Sequence, residues 1–203
     1  MTAGSTLSSV VAVTADGNGS FTGAAAPERV GRTYGGQFLA QALAAGGATV
    51  ADPKRPHSMH GYFVRAGEVD RPTRYQVEEV RDGRSFAVRS VVASQSGVEV
   101  FRLTASFHAP EPGLSYHRSR GYPMVDVAPP SEEQPDYPTF AAGHPDFDAE
   151  GWDGGRRPME MRYINPPDPA GGDPVEEPQL MWVRLRDGGS GGDGDEQGRA
   201  AGV

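Results

Sequence analysis

Cysteine is absent from the 203 residues, which excludes disulfide bridges, thiolate nucleophiles and cysteine-based zinc sites at once. A surplus of positive charge is missing too. Nineteen Lys and Arg face 27 Asp and Glu, and a net charge of −8 is the wrong sign for a surface that must displace counterions from nucleic-acid phosphates. No nucleic-acid partner is expected. Nor is there a run near the roughly 20 apolar residues that a membrane-spanning helix needs. The opening stretch, MTAGSTLSSVVAVTADG, has neither the basic start nor the apolar centre of a secretory leader. The chain therefore reads as a cytoplasmic protein with no membrane partner. Three catalytic signatures are missing as well: the Gly-x-Ser-x-Gly elbow, the phosphate-binding Gly-x-x-x-x-Gly-Lys-Ser/Thr loop and the His-Glu-x-x-His helix. Serine-elbow hydrolysis, nucleotide hydrolysis and zinc peptidase chemistry are set aside, and no metal or cofactor is expected.

What is present is unevenly spread. The chain holds 28 glycines and 18 prolines, and these crowd the region beyond position 109, so the packable core is expected in the first half. Residues 8–26 suggest a strand, a turn at Asp16-Gly17-Asn18-Gly19 and a second strand, because Asn-Gly pairs supply the positive φ angles of tight hairpins. A helix is predicted over Gly36 to Ala48, with Phe38, Ala42 and Ala45 on one stripe and Leu39 and Leu43 beside it. Small or apolar residues occupy most of its remaining surface. A helix apolar nearly all round is usually enclosed, and a sheet curved about it would do this.

Three alternating runs follow. TRYQVEEV (73–80) places Tyr75 and Val77 on one face. In SFAVRSVVASQ, Phe86, Val88 and Val92 face one way and Arg89 the other. VEVFRLTASF gathers Phe101, Leu103, Ala105 and Phe107 opposite Arg102, Thr104 and Ser106. The connections Arg81-Asp82-Gly83 and Ser94-Gln95-Ser96-Gly97 are short and contain glycine, so antiparallel neighbours are expected. Residues 8–110 are thus assigned to one α+β domain, and the proline-dense segment 111–157 to a linker. Residues 158–187 are expected to contribute two strands, PMEMRYI and EPQLMWVRLR. The Gly-rich acidic stretch 188–203 is expected to be disordered.

The titratable and polar residues offer few sites. His57 and His60, in HSMHGYF, are the suggestive imidazoles, since imidazole can activate water near neutral pH. At i, i+3 on a regular strand they should point to opposite faces. The plain alternative is that His57 caps the strand and His60 packs at an interface. Gly35, Gly36 and Gln37 open the helix, where backbone N–H groups can hold a carbonyl oxygen or an anion. The alternative is that the glycines only let helix and sheet approach closely. Arg81, Arg84 and Arg89 can meet phosphates as guanidinium forks, or else form a solvated strand face.

In order, RTYGGQFLAQAL, HSMHGYFVRAG, RDGRSFAVR and TASFHAPE resemble the amino-terminal half of type II acyl-CoA thioesterases. That resemblance implies a hot-dog fold, in which an antiparallel sheet wraps a central helix, followed by the start of a second hot-dog at MEMRYINPP and QLMWVRLR. It implies fatty acyl-CoA as substrate, hydrolysed to fatty acid and coenzyme A by a water that an Asp, a Thr or Ser, and a Gln hold. Those three belong to the family's second domain. Here the sequence turns to DGGSGGDG after Arg186, so Asp187, Asp193 and Asp195 match no motif, and a truncated chain with impaired hydrolysis is expected. The site residues carried over are His57 as a catalytic candidate and Gly36, Gln37 and Arg84 as substrate contacts. A non-catalytic acyl-CoA-binding or self-associating hot-dog module is the alternative, and homo-oligomers are expected in either case. Hot-dog hydratases would need an Asp and His pair around the helix, which carries neither.

Overall fold

The computed structural model describes residues 7–25, 31–114, 136–142, 159–165, 180–185 and 201–202. Residues Ser8–Leu114 form one compact unit. It opens with a short helix α1 (Leu7–Val11), then β1 (Val13–Gly17), β2 (Ser20–Gly23), α2 (Gly35–Gly47), β3 (Arg55–Phe63), β4 (Thr73–Asp82), β5 (Phe86–Gln95) and β6 (Val98–His108). The six strands make one antiparallel sheet in the order β1-β2-β4-β5-β6-β3. One long helix against one antiparallel sheet is the predicted hot-dog arrangement. Residues 8–11, expected to begin a strand, are helical instead; the hairpin itself starts at Val13 and turns through Gly17, Asn18 and Gly19, whose φ values of 90°, 52° and 69° are the positive angles the Asn-Gly pair permits.

Helix α2 is the enclosed element. None of its residues is exposed, and Phe38, Ala42 and Ala45 are buried together with Gln37, Gln41 and Gly46. Leu39 and Leu43 pack partly buried against the same core. The sheet supplies Phe21, Tyr75, Val77, Ala87, Val91, Ala93, Phe101, Leu103, Ala105 and Phe107. Phe101, Leu103, Ala105 and Phe107 share the inner face of β6, as their alternation predicts.

The two faces of β5 divide as predicted, but Arg89 needs correcting: it stands on the buried face, not on a solvated one. Ala87, Arg89, Val91, Ala93 and Gln95 face inward, while Phe86, Val88 and Val92 lie on the outer face. The helix comes close to this inner face: a Cβ added at Gly46 would sit 3.5 Å from Val91 and 3.6 Å from the Cβ of Arg89. Small residues, not the bulkiest ones, suit the strand beneath such a helix.

A second correction concerns β3. Its pairing with β6 slips at His57, between Pro56↔Phe107 and Ser58↔Ser106. The extra residue of this bulge changes the alternation, so His57 and His60 do not take opposite faces. His60 pairs with Thr104, and His57 bonds Ser106, which lies two residues further along the same outer face.

The remaining described elements belong to another unit. They are a single-turn helix α3 (Tyr137–Ala141), inside the segment expected to be a linker, and a three-stranded antiparallel sheet of β7 (Met159–Tyr163), β8 (Leu180–Leu185) and β9 (Ala201–Gly202). β7 and β8 fall where strands are predicted. On one face of their pairing Glu160 meets Arg184 and Arg162 meets Trp182; the other face carries Met159, Met161, Tyr163, Met181, Val183 and Leu185. Apart from Ala201 and Gly202, the expected disordered tail lies outside the described residues, as does most of the expected linker.

Candidate functional site

Helix α2 begins at Gly35, after Tyr34 in extended geometry and without a side-chain cap. Two aromatic rings cover this end. A Cβ at Gly35 would lie 2.8 Å from the Phe63 ring, and one at Gly36 would run into the ring of Tyr34. Glycine is therefore required for close approach, while the backbone of the first turn remains a place where a carbonyl oxygen can be held. The Gln37 backbone N–H donates to Tyr34 O at 2.9 Å. Its side chain is buried and donates through Nε2 to Ala24 O at 3.3 Å, so it points inward rather than to solvent.

One turn along, Gln41 is fully buried and engaged at both ends: its Oε1 accepts from the Tyr75 hydroxyl at 2.7 Å, and its Nε2 donates to Val10 O at 2.6 Å. Burial holds the Tyr75 phenol well above its ordinary range, against the opposing pull of a hydrogen bond with Thr73. This polar pair was not singled out by sequence. Two glutamines four apart on an otherwise apolar helix are the signal that marks it.

His57 sits at the bulge of β3, with Nε2 2.9 Å from Ser106 Oγ. Its ring meets Phe86 edge-on at 5.8 Å and His108 at 5.8 Å, and the Phe86 and His108 rings lie 4.3 Å apart at 31°. A serine and a histidine in contact suggest a hydrolase pair, but no carboxylate orients His57 among the described residues, so this is not a triad. His60 stands apart, with its ring 4.7 Å from that of Tyr62.

The three arginines separate sharply. Arg89 is only 1% exposed and uses its whole fork: Nε donates to Thr49 Oγ1 at 2.7 Å, Nη1 to Arg81 O and Val88 O, and Nη2 to Thr49 O and the Asp82 carboxylate. Neither a solvated face nor a free phosphate ligand, it bolts the loop after α2 to the β4–β5 turn. Arg81 and Arg84 flank that turn, are exposed, and make no side-chain ion pair or hydrogen bond among the described residues. Of the four carried-over residues, Gly36 and Gln37 thus lie together at the start of α2, while His57 and Arg84 lie at the other end of the sheet, around Phe86.

Residues 24–108 match the family described as the acyl-CoA thioesterase N-terminal domain. The chain is 36% identical over 164 residues to acyl-coenzyme A thioesterase 8 of Mus musculus, an alignment covering 76% of this chain and 50% of that protein. It is 31% identical over 163 residues to acyl-CoA thioesterase 2 of Haemophilus influenzae, covering 75% and 53% respectively. It therefore spans about half the length of the curated relatives it matches. Among solved structures, an acyl-CoA thioesterase II from Mycobacterium marinum superimposes with a TM-score of 0.62 at 28% identity, over 89% of this chain and 60% of that one. A hot-dog protein from Alicyclobacillus acidocaldarius gives 0.64 at 19% identity, over 89% and 62%, a likeness of fold. Residues 24–108, which hold α2 and strands β3 to β6, are thus similar to the amino-terminal domain of acyl-CoA thioesterases.

Proposed function

We propose that the Ser8–Leu114 unit binds fatty acyl-CoA and serves its hydrolysis to free fatty acid and coenzyme A. The single observation behind this reading is the family match over residues 24–108, on a helix that opens with two glycines. In this reading the Gly36 end of α2 takes the thioester carbonyl oxygen, whose developing negative charge suits a helix amino terminus. Gln37 fixes that first turn by its inward bond and Arg84 meets a phosphate of coenzyme A, while His57, at the far end of β3 from Gly36, is out of reach of a water at that carbonyl and drops out as its general base. The Asp, Thr and Gln that the resemblance places in a second domain match nothing in this sequence, so the chain as it stands turns over slowly or not at all. The ligand is acyl-CoA, the compartment the cytoplasm and the assembly a homo-oligomer.

Purified protein mixed with acyl-CoAs of several lengths and a thiol reagent provides the test. Slow or absent thiol release, together with acyl-CoA binding in calorimetry, is expected. Failure to bind any acyl-CoA would reject the reading. The second reading, a non-catalytic or self-associating module, is favoured by the bare sheet edge: every residue of β3 except Gly61 is exposed. Binding with no turnover, even when a second-domain partner is supplied, would select it.

A further inference from the structure

We propose that the outer face of the sheet around Phe86 is a platform for a purine nucleotide phosphate, which in an acyl-CoA is the adenosine 3′-phosphate end of the coenzyme. The inference rests on the acyl-CoA reading for the ligand's identity and extends its Arg84 contact to a site that also draws on Arg81, Phe86 and His108.

Charge placement comes first. The turn Arg81-Asp82-Gly83-Arg84 would be close to neutral if its acid met its own arginines. Instead, the Asp82 carboxylate turns to the buried Arg89, at 2.9 and 3.1 Å, and Glu79 approaches the same guanidinium at 3.7 Å. Among the described residues, Arg81 and Arg84 are left exposed with no side-chain partner, on a chain whose net charge is −8. Arg81 pairs with Val88, so it shares the outer face with Phe86, two residues away.

The second observation is aromatic. Phe86 keeps 45% of its surface in solvent although it heads a strand whose inner face is fully packed. Its ring is backed by His108 at 4.3 Å and flanked by His57 at 5.8 Å. The three rings come from three hydrogen-bonded strands, and the Ser106 bond steadies His57. Glu111 stands 3.4 Å from His108 Nε2, on the far side of the ring cluster in sequence from the two arginines. The exposed Phe86 ring, backed by His108 and met edge-on by His57, beside two guanidinium forks with no partner among the described residues, fits a base that stacks and a phosphate that accepts bidentate bonds.

The test is titration of the full chain with adenosine 3′,5′-bisphosphate, and separately with inorganic phosphate and acyl-CoA, following the ring protons of His57 and His108 by NMR. The bisphosphate is expected to bind and shift both rings. Phe86→Ala should weaken it about tenfold. The exposed pair Arg81→Gln with Arg84→Gln, which leaves the core untouched, should weaken it by about the same factor and flatten its salt dependence. Absence of bisphosphate binding, or binding that both variants retain, overturns the platform. So does inorganic phosphate matching the bisphosphate with no loss in Phe86→Ala. Acyl-CoA that still binds both variants at full strength would reject the platform and leave the thioesterase reading standing. Bisphosphate bound through Phe86 by a protein that ignores acyl-CoA would do the reverse.

Discussion

Arg89 donates through Nη2 to both oxygens of the Asp82 carboxylate, at 2.9 and 3.1 Å, from a site almost sealed from water; Asp82 itself keeps 52% of its side chain exposed. The asymmetry decides what each deletion costs. Asp82→Ala strands a buried cation whose next acid, Glu79, is 3.7 Å away. Arg89→Met removes the cation and returns the aspartate to solvent, but leaves the carbonyls of Thr49, Arg81 and Val88 without that donor. Each variant is expected to lose about 3 kcal/mol of unfolding free energy, against under about 1 for Glu79→Ala, whose contact is long and exposed. Urea unfolding of the three variants checks the order.

Tyr75 gives a prediction about alkaline pH. Its phenol is buried, donates to Gln41, and is held above the ordinary value of 10.0. A raised folded-state value means that the contribution is complete below pH 10 and is lost as pH rises, because the unfolded chain ionises first. The wild type should therefore lose stability above about pH 10 more steeply than Tyr75→Phe. At neutral pH the order reverses, since Tyr75→Phe leaves the buried Gln41 Oε1 without its donor, at about 1–3 kcal/mol. Thermal unfolding across this range, with absorbance of ionised tyrosine as a second signal, tests both signs.

Two glycines in the same core should respond in opposite directions to one added methyl. At Gly46, near the end of α2, a Cβ would meet Val91, Arg89 and Phe107 at 3.5 to 3.8 Å, which is ordinary contact. Gly46→Ala is expected to stabilise by about 1 kcal/mol through helix propensity. At Gly61 the new atom would stand 2.6 Å from the ring of Phe101, a fully buried side chain. Gly61→Ala should cost about 1–3 kcal/mol by overpacking. Shifts in midpoint measured side by side decide the matter, and equal signs would contradict the close packing at β3.

Much of this architecture was legible in the chain. The buried stripe of α2, the inner face of β6 and the Asn-Gly hairpin follow from periodicity and from the backbone freedom of glycine, both of which are local properties. The inner face of β5 was not legible, because it is set by a helix 40 residues away in sequence: Thr49 receives the Arg89 Nε. Alternation alone gives two faces and does not say which is inside. Closeness to α2 decides it, since Val91 and Arg89 lie beneath Gly46. The histidines failed for a different reason, since one bulge at His57 reverses parity and leaves no mark in composition. At the candidate site, Gly36 and Arg84 are proposed from residue type and motif. The inward turns of Gln37 and Arg89 depend on partners that only the folded chain brings near.

The edge strand β3 carries the last prediction. Met59 pairs with Ala105 and Phe63 with Phe101, so both belong to the inner, apolar face, yet they are 51% and 58% exposed. Strand β6 covers one side of β3 and no strand of this unit pairs with the other, which leaves backbone donors and acceptors beside apolar side chains. An edge of this composition recruits another strand unless charge or proline blocks it. Sedimentation of the full chain over a range of concentrations is expected to show reversible self-association. Met59→Lys should weaken it at least about tenfold, because a charge would have to be buried between the paired strands. The substitution lies at an exposed position, so the monomer's unfolding midpoint should move little. A wild-type chain that stays monomeric at the highest concentration would assign the exposed residues of β3 no role in assembly.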